Sequence, residues 1–170
     1  TKGVLKLNKN KIRFTANAAM IAALYVALTY LCNLFGLANN AVQLRFSEAL
    51  TILPIFMPSA VPGLFVGCIL ANLLTNAAVW DVIFGSLATL IGAFLTRKLR
   101  KTPYLAFLPP IVANTLVVPP IVCFVYGSDM AMPLVYLTVF AGEVLSCGVL
   151  GFILYRALLR NPLFSKGSML

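Results

Sequence analysis

Apolar residues fill this chain in long runs that charges interrupt at few places. Residues 14–44 carry no charge, residues 49–80 carry none, and Glu143 is the one charge in 130–155. A helix needs about 20 predominantly apolar residues to cross a bilayer. Turn-forming residues divide the runs further. Residues 36–40 read as a loop, Pro54, Pro58, Pro62 and Gly63 mark a break, residues 76–81 mark another, and Gly127, Ser128 and Asp129 form a last turn. This punctuation predicts helices near 13–35, 44–57, 61–78, 81–97, 105–126 and 133–158. The second and fourth are short and are expected to tilt or to stop before a full crossing. Pro109, Pro110, Pro119 and Pro120 fall inside the fifth. Each removes a backbone donor and invites a kink, giving either an irregular packed helix or a helix whose kinks open a cavity.

Composition narrows the class. Of 170 residues, 61% are apolar and 10% charged, where soluble domains carry about a quarter charged residues. The expectation is an all-α integral membrane protein, one domain over residues 1–170 with a basic leader at 1–12. The net charge of +9 does not point to nucleic acid, because of where the charges lie. Lys2, Lys6, Lys9, Lys11 and Arg13 precede the first run; Arg97, Lys98, Arg100 and Lys101 form an internal cluster; Arg156, Arg160 and Lys166 follow the last run. Basic flanks of this kind face the cytoplasm. An even number of spans must then separate them, which gives a six-transmembrane-helix bundle with both termini cytoplasmic. Cys32, Cys68, Cys123 and Cys147 sit in apolar runs without CxxC spacing and read as small packing residues, so no metal or cofactor is expected. The chain has no His, which removes the usual ligands of an intramembrane metalloprotease. It also has no phosphate-binding loop for hydrolysing ATP.

Against this background the few buried charges stand out. Intramembrane ions are costly and usually face a bundle interior or a wet cavity. Asp129 falls in a turn and is expected to be solvated. Asp81 opens the fourth helix, where it either caps free N–H groups or meets a ligand. Glu48 and Glu143 lie inside helices. Arg45 lies three residues before Glu48, so on an α-helix the two share a face; Arg45 is expected to hold Glu48 ionised and aimed, the alternatives being to snorkel outward or to cross to another carboxylate. By depth, Glu48, Asn72, Asn76, Trp80, Asp81, Asn114, Tyr136, Phe140 and Glu143 converge on the outer half of the bundle, leaving the inner half nearly bare of polar groups. Carboxylates, amides and aromatic rings together suit a flat heterocycle with N–H donors. The competing reading is a set of interhelical hydrogen bonds that hold the bundle together.

The first helix carries a small-residue pattern. Ala19, Ala23 and Ala27 recur every four residues, as do Ala18 and Ala22. Small residues at this spacing admit a close neighbouring helix, either within the bundle or on a docking partner.

Three stretches carry a resemblance: "QLRFSEALTILPIF", "GLFVGCILANL" and "WDVIFGSLATLIGA". They resemble the QueT family among the substrate-binding S-components of energy-coupling factor (ECF) transporters, and the likeness runs from the first helix to the sixth. It implies a multi-pass protein of the bacterial cell membrane that captures a queuosine precursor from outside for ATP-driven uptake. That precursor would be a 7-deazaguanine such as 7-aminomethyl-7-deazaguanine or queuine. It also implies docking, through the first helix, to a transmembrane coupling protein (T-component) and two ATPase subunits, with no catalysis by this chain. Other readings are an S-component for another vitamin-like heterocycle, or a solo transporter or channel. The bare inner half speaks against the last.

Overall fold

The computed structural model describes the backbone of residues 2–36 and 44–161, with side chains from residue 9 onward. Among these residues there is helix and no strand. Most of the expected loop at 36–40 lies outside the described residues. The elements are α1 (Lys2–Leu34), a 3₁₀ segment (Phe46–Ile55), α2 (Ala60–Leu74), a π turn (Asp81–Gly85) leading into α3 (Ser86–Lys98), α4 (Leu108–Phe124), and α5 (Met132–Glu143), joined through a π stretch (Val144–Leu150) to α6 (Gly151–Leu159). Three helical rods, Lys9–Leu34, Asp81–Lys101 and Met132–Leu159, are long and apolar enough to cross a membrane; the other three apolar segments are shorter.

The six predicted segments all form, with shifted boundaries. The first helix starts at Lys2 rather than near residue 13, so the basic leader continues the helix; it holds no Pro, and its one Gly, Gly3, falls in the first turn. The second is 3₁₀ rather than α. Pro54 offers no N–H, and Thr51 Oγ1 donates to the Glu48 carbonyl at 2.6 Å, occupying an oxygen the α ladder would use. A 3₁₀ helix rises about 2.0 Å per residue, so this short segment still reaches most of the way through the bundle. It is buried at eight of its ten positions, Ser47, Glu48 and Thr51 among them, as expected of a central element. Pro109 and Pro110 do not kink the fifth segment. They start it, in the first turn where the missing N–H groups have no partner to lose.

α1 and α2 run side by side in the same direction, closer than most helix pairs. A Cβ at Gly63 would lie 2.7 Å from the Ala18 carbonyl oxygen, and one at Gly67 would lie 3.0 Å from the Ala22 Cα. The alanine pattern therefore divides: Ala18 and Ala22 are taken up by α2 inside the bundle, while Ala19, Ala23 and Ala27 stay exposed. The main core joins Ile21 and Tyr25 to Leu50, Leu53, Leu64, Cys68 and Ala93.

Apart from Arg45, the basic groups whose side chains are described lie toward one end. Arg97 donates from Nη1 to the Pro54 and Ile55 carbonyls, both at 3.0 Å, satisfying the last carbonyls of the 3₁₀ segment. Phe56, Phe107 and Tyr155 pack beside it with ring centroids 5.6 to 6.0 Å apart. The buried acids and amides lie toward the opposite end, while buried Ser59 and Thr96 stay at this one.

Candidate functional site

A cavity of about 320 Å³ opens at the end away from the basic cluster. It lies among the last turns of α1, α2 and α4 and the π turn before α3. Its polar lining comes from Thr29, Asn33, Arg45, Asn72, Thr75, Asn76, Asp81 and Tyr126, with Val118, Ile121 and Val122 completing the wall. A volume in this range is that of an ordinary small-molecule site.

Arg45 and Asp81 form the charged wall. Arg45 Nη2 lies 3.9 Å from Asp81 Oδ2, with the Arg45 side chain 21% exposed and that of Asp81 6%. The expected Arg45–Glu48 pair is not made. Arg45 precedes the 3₁₀ segment in an extended conformation, φ −123° and ψ 105°, so the α-helical geometry that would put it on one face with Glu48 never applies. Its backbone N–H instead donates to Ser146 Oγ at 3.1 Å. Asp81 is no cap either: its Oδ1 has no hydrogen-bond partner and its Oδ2 faces Tyr126. It accepts from Tyr126 Oη at 3.3 Å, and Tyr126 Oη in turn accepts the Ala78 N–H at 3.0 Å. Asn72 Nδ2 donates to the Asp81 carbonyl at 3.3 Å. Asn76 turns the chain with a φ of 54°, a left-handed conformation that Asn tolerates better than most residues.

Glu48 and Glu143 are not in the cavity lining. They form a second polar layer beneath it, 1% and 8% exposed. Tyr25 Oη donates to Glu48 Oε1, and Asn114 Nδ2 donates to Glu48 Oε2 at 3.4 Å. The Cys147 thiol lies 3.2 Å from Glu143 Oε2, so this cysteine is a polar partner and not merely a packing residue. One ligand atom each of Glu48, Glu143 and Cys147 fall within 4.8 Å of one another. Thr29 links the layers: it lines the cavity and donates to Ser47 Oγ at 2.8 Å, next to Glu48.

Of the aromatic residues expected at the site, none lines the cavity. Trp80 is 56% exposed and stacks on Phe84, ring centroids 5.9 Å apart, at a second, apolar hollow between the π turn and α4. Phe140 is 47% exposed and Tyr136 is half-buried. The buried face of α5 runs through Val135, Val139, Gly142 and Glu143, one position round from the line Tyr136–Phe140. The sequence reading missed Tyr25, Thr29, Cys32, Asn33, Thr75 and Tyr126. A signal was present for four of them, since 25, 29, 32 and 33 follow helical spacing and trace one polar stripe along α1.

A family model described as the QueT transporter matches residues 15–160. The chain belongs to the QueT transporter family. A stretch of 85 residues is 34% identical to the queuosine precursor transporter QueT of Lactococcus lactis subsp. cremoris (strain MG1363). That stretch covers 50% of this chain and 50% of the relative, so the two match over about half the relative's length. No solved structure matches the chain. The family match takes in both polar layers of this QueT-family chain, from Tyr25 to Cys147, and ends at Arg160.

Proposed function

We propose that this chain is the substrate-binding subunit of an ECF-type transporter, which captures a queuosine precursor of the 7-deazaguanine class from outside a bacterial cell. The observation that carries the reading is the polar cavity at the end opposite the basic flanks, in a chain of the QueT transporter family. With the basic flanks inside, all six segments traverse the membrane as one domain, both termini are cytoplasmic, and the cavity faces out. Asp81 accepts ring N–H groups, Asn72 and Asn76 read neighbouring ring atoms, and Arg45 meets a carbonyl oxygen. The chain lacks a nucleotide-binding loop, so energy comes from two ATPase subunits through a transmembrane coupling protein.

Purified alone in liposomes, the protein should bind a 7-deazaguanine and fail to accumulate it when ATP is supplied. Accumulation by this chain alone would overturn the subunit reading, and absence of binding would overturn the ligand. Docking is tested separately. Ala19, Ala23 and Ala27 offer an exposed small-residue face on α1 suited to close helix approach. Ala23→Trp should therefore abolish co-purification with the coupling protein while leaving ligand affinity within about twofold. A normal complex with the Trp variant would remove α1 from the interface.

A further inference from the structure

The buried acids at the cavity end include two that no described cation meets. Glu48, Asp81 and Glu143 are 1%, 5% and 8% exposed, and the one guanidinium among them, Arg45, is engaged by Asp81. The stretch 37–43 reads LANNAVQ and adds no charge. No described cation pairs with Glu48 or Glu143, although their ligand atoms approach within 4.8 Å of one another. Like charges that close, in a poorly hydrated interior, repel strongly unless a positive group or a proton intervenes.

Two further observations connect this pair to a ligand. Asp81, on the cavity wall, has its Oδ1 buried and without a hydrogen-bond partner. The carboxylate layer also lies one helical turn beneath the cavity on three helices at once. Tyr25 is four residues before Thr29, Cys68 four before Asn72, and Asn114 four before Val118, and the later residue of each pair lines the cavity. Four α-helical residues rise about 6 Å, a gap that an aminomethyl arm of about 2.5 Å and a hydrogen bond of about 2.9 Å together nearly close.

We propose that the ligand is taken as a cation, its positive nitrogen held between Glu48 and Glu143 while its ring occupies the cavity above. The inference rests on reading the cavity as the ligand site. A primary ammonium carries three donors and no acceptor, which suits two facing carboxylates, and Asn114 and Tyr25 keep Glu48 aimed.

The test compares two rings on the wild-type protein in lipid nanodiscs by titration calorimetry. One is 7-aminomethyl-7-deazaguanine, a cation at neutral pH, and the other is 7-methyl-7-deazaguanine, neutral and nearly the same size. The aminomethyl ring should bind about tenfold tighter or more, because charge-assisted bonds exceed neutral contacts by that factor. Glu143→Gln should shrink the gap and leave the methyl ring's affinity nearly unchanged. Equal affinities for the two rings on wild type would overturn the inference while leaving the cavity as the ligand site. Binding of neither ring would overturn the ligand reading and this inference with it. Plasma mass spectrometry on the ligand-free protein supplies a further check. A stoichiometric divalent metal that Glu143→Gln removes would mean that the pair holds a resident ion, and would also overturn the proposal.

Discussion

Asp81→Ala is expected to lower stability by about 3 kcal/mol and to weaken ligand binding by about tenfold to a hundredfold. The substitution removes the acid that faces Arg45 at 3.9 Å. Losing one partner of a buried pair costs roughly 3–5 kcal/mol, because the other charge stays behind unpaired. The long separation, and the 21% exposure of the Arg45 side chain, put the expected value at the lower end. The same change takes from the Tyr126 hydroxyl the acceptor of its proton and removes the one carboxylate among the described lining residues. Asp81→Asn separates the two effects. It keeps the side-chain shape, and the Asn72 contact survives because Asn72 donates to the Asp81 backbone carbonyl; stability should recover in part while affinity stays low. Thermal unfolding and calorimetry on both variants read the outcome. A wild-type unfolding temperature and affinity in Asp81→Ala would show that the pair supports neither fold nor ligand.

Gly67→Val, in the buried contact of α1 with α2, is expected to destabilise the fold by about 3 kcal/mol. A Cβ there would lie 2.8 Å from the Tyr25 Cβ, 3.0 Å from the Ala22 Cα and 3.1 Å from the Ala22 carbonyl oxygen. Backbone and Cβ atoms cannot rotate away, so α1 and α2 must separate. Overpacking typically costs roughly 1–3 kcal/mol, and contact with a neighbouring backbone argues for the top of that range. The shift also carries Tyr25 away from Glu48, so ligand affinity should fall with stability. Gly148→Ala is the matched control: its nearest contact would be the Val144 Cγ1 at 3.8 Å, ordinary packing distance, and the fold should tolerate it. If Gly67→Val unfolds at the wild-type temperature, the close approach of α1 and α2 contributes little.

The sequence by itself determined the class of this protein, its six apolar helical segments and the end at which its basic groups gather. Those features follow from residues near one another in the chain: uncharged runs, turn residues between them, and clustered Lys and Arg. It also named Arg45, Asn72, Asn76 and Asp81, because a polar group in an apolar run costs too much to be there without a reason. Its spacing arguments failed where the helix is not α. Pairing Arg45 with Glu48 assumed 3.6 residues per turn, but Arg45 lies outside the helix and Glu48 is in a 3₁₀ turn. The π turns at Asp81–Gly85 and Val144–Leu150 likewise move side chains off the period by which faces are assigned. Tertiary structure alone decided that Arg45 faces Asp81 and that Glu48 meets Tyr25 and Asn114. It also decided that two of the five alanines, Ala18 and Ala22, pack against Gly63 and Gly67. Each is a contact between segments many residues apart, set by how closely two backbones approach and by the turn at which each helix departs from α geometry, and neither quantity is written in the local pattern of apolar and polar residues.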